Sequence, residues 1–189
     1  MRAIGSSTNL AEGASIDIVA RIAILTCSDK GAAGARDDLS GDLAASRCLA
    51  GGHYVVARAL EPDDRARISA CLRAWCDAGT ADIIITTGGT GLAPRDVTPE
   101  ATCDIAERDV PGIPIALWIE GLKETPYAVL SRGVAVVRGQ TLIVNLPGNP
   151  KAVAEGMDVL LPLFPHIAHV LAGPLEHRTA ADSGHAVGP

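Results

Sequence analysis

The stretch 86–98, TTGGTGLAPRDVT, carries the densest chemistry in the sequence. Gly88, Gly89 and Gly91 follow a short apolar run. Glycines at the end of a buried strand let the backbone turn sharply and approach a ligand closely, with N–H groups free to bind an anion. Thr87 and Thr90 add hydroxyl donors. The stretch lacks GK[ST] and is not GxGxxG, so it is neither a Walker loop nor a dinucleotide fingerprint. The plain alternative is a tight strand-to-helix turn. Arg95 and Asp96 adjoin these glycines. Arg95 can pair with a phosphate. Asp96 can bind Mg2+, which takes one or two carboxylates plus phosphate oxygens, or it can serve as a cap or a loop acceptor. Asp63 is a second candidate carboxylate, with the N-cap of a following helix as its other role. Asp29 is a third, with an Asx-turn as its other role. The chemistry these residues would support is phosphate held by backbone N–H groups beside a divalent cation.

Such residues converge only if the chain alternates strands and helices. Residues 19–27 (VARIAILTC), 53–60 (HYVVARAL) and 82–87 (DIIITT) read as strands, the last apolar on both faces as in a buried parallel strand. A helix is expected from Ser40 to Leu49 with Ser40 as N-cap. Another follows Pro62-Asp63-Asp64, with Ile68, Leu72, Trp75 and Cys76 on one face. Thr98 suits an N-cap and Pro99 the first helical position. A further helix spans 113–124. Strands 134–138 and 141–145 around Gly139-Gln140 read as a hairpin. A last helix over 150–171 should break near Pro162 and Pro165. The expected fold class is α/β: a three-layer α/β/α domain, with a mostly parallel central sheet and a small hairpin near the C-terminal half. Ligands in such sheets bind beyond the C-terminal strand ends. Four loops belong there: Ser28-Asp29, Pro62-Asp63, the glycine loop and Pro147-Gly148-Asn149-Pro150. The organisation expected is a flexible tail over 1–19, a domain over 20–173 and a flexible tail over 174–189.

The bulk numbers narrow the function classes. The 189 residues suit one domain. Hydrophobic residues make up 48% in short interrupted runs, and none approaches the roughly 20 a membrane helix needs. The first twenty residues make a poor secretory signal, so the expected location is cytoplasmic, with no membrane partner. A net charge of −6 argues against a nucleic-acid partner. Five cysteines without CxxC argue against a disulfide framework and a zinc site, and they read as small buried hydrophobes. His166 and His169 share a helix face but have no third ligand nearby.

TTGGTGLAPRDVTPEAT (86–102) and LSRGVAVVRGQTLIVNLPGNPKAV (130–153) strongly resemble the Mog/MoaB group of molybdenum cofactor biosynthesis proteins. Ser28-Asp29, Leu60-Glu61-Pro62-Asp63 and Val110-Pro111-Gly112 fall in matching order, and the likeness covers residues 21–173. The competence-damage family shares a related glycine loop but carries a different acidic run after it. The resemblance implies a molybdopterin adenylyltransferase that takes molybdopterin, ATP as co-substrate and Mg2+, and makes adenylyl-molybdopterin and pyrophosphate. It implies that Gly88, Gly89, Thr90 and Gly91 hold phosphate, with Ser131 and Arg132 on the pterin side. Asp63 and Asp96 match the acidic positions associated with catalysis and metal. Ser28, Asp29, Pro147, Gly148, Asn149 and Pro150 match loops linked to the nucleotide. It implies a homotrimer or hexamer, with a molybdenum-insertion enzyme as a possible partner. Without the resemblance, Ser131 is a small polar residue near a helix end, Asn149 a turn residue and Lys151 a solvated charge. Two other readings stay open: a module that binds molybdopterin or a nucleotide without transferring adenylate, and an assembly protein with a vestigial site.

Overall fold

The computed structural model describes residues 18–173. The tails expected over 1–19 and 174–189 lie outside the described residues, except for Ile18 and Val19. In chain order the elements are β1 (Arg21–Cys27), α1 (Asp29–Ala32), α2 (Leu39–Ala50), β2 (Tyr54–Glu61), α3 (Arg65–Asp77), β3 (Ile83–Thr87), α4 (Thr98–Cys103), β4 (Arg108–Asp109), α5 (Gly112–Gly121), β5 (Ala135–Arg138), β6 (Thr141–Leu146), α6 (Pro150–Leu160) and α7 (Phe164–Ala172). Short 3-10 segments lie at Pro126–Leu130 and Leu161–Leu163.

The six strands form one sheet in the order β2-β1-β3-β6-β5-β4. β2, β1, β3 and β6 run parallel, while β5 and β4 are antiparallel to their neighbours. Strand alternation supplies both cores. Ile22, Ile24, Ile83, Ile85, Leu142 and Val144 point to one face, where Val153, Met157 and Leu160 of α6 and Phe164 of α7 cover them. Ala23, Leu25, Ile84 and Ile143 point to the other, against Ile68 and Leu72 of α3 and Ala101 of α4. These side chains are essentially inaccessible to water. Each large one stabilises the fold by roughly 1.5–3 kcal/mol of apolar burial. The result is the three-layer, mostly parallel arrangement expected, with the hairpin turning at Gly139, whose φ is +56°.

Several local expectations change. Asp38, not Ser40, caps α2, accepting from the Gly41 N–H at 2.9 Å. The Ser40 hydroxyl instead lies 3.0 Å from that of Thr87 on β3. Val97 takes the N-cap position of α4, Thr98 is already helical, and no side chain caps that end. The reason is tertiary: the Thr98 N–H donates to the Gly89 carbonyl at 3.1 Å. The helix expected over 113–124 stops at Gly121. The break in the last helix falls over Leu161–Leu163, before α7 resumes with Pro165 in its first turn. Of the cysteines, Cys27 and Cys48 are buried, Cys71 and Cys76 half-buried and Cys103 exposed, so Cys103 departs from the reading of small buried hydrophobes. No helix among the described residues is long and apolar enough to cross a membrane.

One buried side chain ties the layers together beneath the glycine loop. Asn145 on β6 accepts from the Val134 N–H at 3.2 Å and donates to the hydroxyls of Thr86 at 2.9 Å and Thr102 at 3.0 Å. Replacing it leaves the buried Thr86 hydroxyl without that partner and the half-buried Val134 N–H without an acceptor, while Thr102 keeps its bond to the Thr98 carbonyl; a buried polar group left unpaired costs about 1–3 kcal/mol. Asn145→Leu is expected to lower urea-unfolding stability by more than about 2 kcal/mol. A loss no larger than that of Ile143→Val, about 0.5–1.5 kcal/mol, would show that the network does not hold the layers.

Candidate phosphate-binding site

Every parallel strand ends at the same edge of the sheet, and the loops named above meet there. β3 delivers the glycines. Gly88 and Gly89 have φ of +90° and +63°, in the left-handed region. A Cβ on Gly88 would sit 2.3 Å from the Cys27 carbonyl oxygen, and one on Gly89 would sit 2.2 Å from the Thr98 hydroxyl. Only glycine fits at either position. The Gly88 N–H is used by the Leu146 carbonyl at 3.1 Å. Among the described residues, the N–H groups of Gly89, Thr90 and Gly91 meet no protein acceptor. Three successive unpaired N–H groups at a strand end can receive phosphate oxygens.

Two cavities open on either side of this loop. The larger, about 690 Å3, is lined by Gly88, Gly89, Thr90, Gly91, Asp96, Ser131, Pro147, Gly148 and Asn149, and by the apolar Leu117, Trp118 and Tyr127. The smaller, about 90 Å3, is more polar, and Ser28, Asp38, Ser40, Thr87 and Pro150 line it. Gly88 and Gly148 line both. A Cβ on Gly148 would come within 3.1 Å of the Gly88 Cα, so the two loops touch along a ridge between the cavities.

The carboxylates flank the ridge. Asp64, not Asp63, caps α3, accepting from the Arg67 N–H at 2.9 Å. Asp63 is therefore free of its alternative role. It is clasped to Asp29 instead: Asp63 Oδ2 accepts the Asp29 N–H at 2.9 Å, and Asp29 Oδ1 accepts the Asp63 N–H at 3.1 Å. The other Asp63 oxygen, Oδ1, is buried without a partner, and so is the Thr98 hydroxyl. Oδ1 lies 3.1 Å from the point where a Gly89 Cβ would stand. Burial, then the charges of Asp29 and Asp96, push the Asp63 carboxyl above the usual aspartate range, and the Asp29 N–H only partly offsets this. Asp96 Oδ2 accepts from the Ala93 N–H at 2.9 Å and lies 2.8 Å from where a Gly91 Cβ would stand. Both carboxylates thus border the unpaired N–H groups. Among the described residues no set of three or more His, Cys, Asp or Glu forms a metal cluster.

Four expected site residues carry structural duties. Arg95 makes a two-pronged pair with Asp29, at 3.0 Å from Nε and 2.6 Å from Nη2, which holds the Asp29 carboxyl below its ordinary range. Ser28 caps α1, accepting from the Gly31 N–H. Asn149 caps α6, accepting from the Lys151 N–H at 3.0 Å. The resemblance puts Arg132 on the pterin side, but it is not among the residues lining the larger cavity. Its guanidinium binds the Gly91 carbonyl at 2.7 Å, the Asp96 carbonyl at 2.5 Å and the Glu100 carboxylate. Lys151 pairs with Glu124 rather than standing alone in water. Sequence reasoning missed Trp118 and Tyr127. The available signal was composition: the whole chain has two Trp, two Tyr and one Phe, and two of those five rings line one cavity.

The family model described as "Probable molybdopterin binding domain" (MoCF_biosynth) matches residues 23–166. A molybdopterin adenylyltransferase of Helicobacter pylori (strain J99) is 36% identical over 158 residues, 80% of this chain and 88% of that protein. The molybdenum cofactor synthesis protein cinnamon of Drosophila melanogaster is 46% identical over 110 residues; these are 58% of this chain but only 18% of that much longer protein. The crystal structure of the molybdopterin biosynthesis enzyme MoaB from Thermus thermophilus superposes with a TM-score of 0.77 at 46% identity, covering 82% of this chain and 98% of that one. The chain therefore belongs to the MoCF_biosynth family of molybdopterin binding domains.

Proposed function

We propose that the chain is a molybdopterin adenylyltransferase acting in molybdenum cofactor biosynthesis. The observation that carries this reading is the shared ridge. A large, mainly apolar cavity and a small polar one meet at Gly88 and Gly148, beside three unpaired N–H groups and two carboxylates. A pterin with a terminal phosphate fits the larger side, with its ring against Trp118 and Tyr127 and its phosphate toward Thr90 and Ser131. Of the residues matched to the nucleotide, Ser28 and Pro150 line the smaller side, where ATP would approach, Gly148 lines both sides, and Pro147 and Asn149 line the larger. A phosphate oxygen of the pterin attacks the α-phosphorus of ATP, a new P–O bond forms, and the bond to the β-phosphate breaks to release pyrophosphate. The residues' part is positioning and neutralisation of charge. The name and 88% coverage of the Helicobacter relative support the assignment.

Asp63 and Asp96 suit Mg2+. The buried, partnerless Asp63 Oδ1 and the raised affinity of that carboxyl for protons suit a ligand to a cation. Mg2+ held by these two residues would neutralise phosphate charge as the bond to pyrophosphate breaks. The same reading places the reaction in the cytoplasm and includes a homotrimer or hexamer that hands its product to a molybdenum-insertion enzyme. The exposed apolar side chains Ile115, Ile119 and Leu122 on and just after α5 support self-association. The competing reading is a holder without transfer activity. The pair of metal-suited carboxylates disfavours it, since a holder has less need of them.

Mixing the protein with molybdopterin, ATP and Mg2+ should release pyrophosphate. Binding of the pterin without any adenylyl product over hours would favour the holder. Asp63→Asn and Asp96→Asn should each keep pterin binding and lower turnover by roughly two or more powers of ten, and normal turnover in both would remove the metal from these positions. Ser131→Ala should weaken pterin binding in a titration, and an unchanged affinity takes Ser131 out of the site. Asp63→Asn should also raise the melting temperature at neutral pH. A carboxyl whose folded pKa is raised binds more protons folded than unfolded, so its ionisation costs stability as pH rises. The gain should vanish in acid, once pH falls below the range where Asp63 ionises. A melting temperature lowered at neutral pH would show that the charge is not strained.

A further inference from the structure

The loop 91–96 leaves the glycine turn, runs through exposed Leu92, Ala93, Pro94 and Arg95, and returns at Asp96. Its two ends are bridged by one side chain. Arg132 Nε donates to the Gly91 carbonyl at 2.7 Å and Nη2 to the Asp96 carbonyl at 2.5 Å. Nη1 donates to Glu100 in α4. The Arg132 main-chain N–H donates to the Thr90 carbonyl at 2.8 Å, and the neighbouring Ser131 carbonyl accepts from Trp118 Nε1 at 3.1 Å. The segment 131–132 is thus fixed to α5 on one side and to the glycine loop on the other.

We infer that Arg132 is a positioning residue: its planar guanidinium closes the neck of the 91–96 loop and so sets Asp96 and the N–H groups of Thr90 and Gly91, without itself binding substrate. The geometry of the fork matters. Two carbonyls and a carboxylate are met by three different nitrogens held in one plane, which a lysine ammonium on a flexible stem cannot reproduce. A phosphate ligand would be different, because lysine also serves there as a point charge. Glu100 answers the positive charge: the hydrogen bond from Arg132 holds its carboxyl below the usual glutamate range. Its second oxygen is buried without a partner, so removing the arginine alone would strand a charge.

The kinetic part of the test rests on the adenylyltransferase reading, and the exchange part does not. Arg132→Lys keeps the charge opposite Glu100 and loses the fork. Its kcat should fall roughly 10- to 100-fold. The Mg2+ concentration for half-maximal turnover should rise several-fold, while the molybdopterin KM stays within about threefold of wild type. Hydrogen–deuterium exchange should speed up at the hydrogen-bonded amides of Ala93, Asp96 and Thr98 and stay unchanged in β1 and β6. The double variant Arg132→Ala/Glu100→Ala, which leaves no stranded charge, should reproduce this pattern and guards against a single variant that fails to fold. A rise of about tenfold or more in the molybdopterin KM, with Mg2+ dependence and exchange at Ala93, Asp96 and Thr98 unchanged, would make Arg132 a substrate ligand and overturn the inference. If the wild-type protein shows no turnover, the activity reading fails by itself. Exchange then decides alone: faster exchange at Ala93, Asp96 and Thr98 supports the clasp, and unchanged exchange refutes it.

Discussion

Three strands end at one edge of the sheet with almost no room between them for even a methyl group. A Cβ on Gly88 would collide with the Cys27 carbonyl from β1, and one on Gly148 after β6 would press on the Gly88 Cα. Everything else at the site follows from this close approach. It requires the parallel neighbours β1, β3 and β6 in that order, and hence the doubly covered sheet with its two apolar faces. It turns the backbone into a region that favours glycine, which leaves the next three N–H groups without protein partners among the described residues. It also makes a wall of bare backbone, so that two cavities of different size and polarity open on a common line.

Around that line, charge is arranged rather than merely present. Asp29 is answered by Arg95, and Glu100 by Arg132, so neither is available to a cation. Asp63 keeps one oxygen in a clasp with the next loop and the other unanswered. Exposed pairs of the Arg95–Asp29 kind contribute little stability, but they decide which carboxylates stay unsatisfied. Among these carboxylates, Asp63 beside the glycine turn and Glu100 each keep one buried oxygen without a partner, and of the two only Asp63 has no cationic side chain paired to it.

Much of this was legible in the sequence because it rests on local pattern. The β3 run, IIITT followed directly by two glycines and apolar on both faces, could only be a central strand, and Pro162 and Pro165 could only interrupt the last helix. The four loops at the strand ends followed once the sheet was parallel. The illegible parts are those that depend on what lies across space. Ser40 has the right chemistry for a cap, yet Thr87 draws its hydroxyl away and Asp38 takes the role. Asp63 and Asp64 are adjacent and chemically identical, and only the turn of the chain decides that Asp64 caps α3. Arg132 is expected on the pterin side only because it falls in the motif shared with the Mog/MoaB group. That its nitrogens are spent on carbonyls 41 and 36 residues away cannot be read from spacing. Trp118 and Tyr127 escape notice because nothing in their immediate neighbours marks a cavity wall.

Asn145 has a consequence beyond the stability of the layers. The same side chain that joins β6, β3 and α4 through Thr86 and Thr102 also forms part of the lining of the larger cavity. The floor of the cavity is thus core, not loop. Its conformational freedom is surrendered when the chain folds, and little is left to lose when a ligand arrives. A guest entering from solvent meets a surface already frozen in shape at the bottom and adjustable only at the rim, where Tyr127 stands in water.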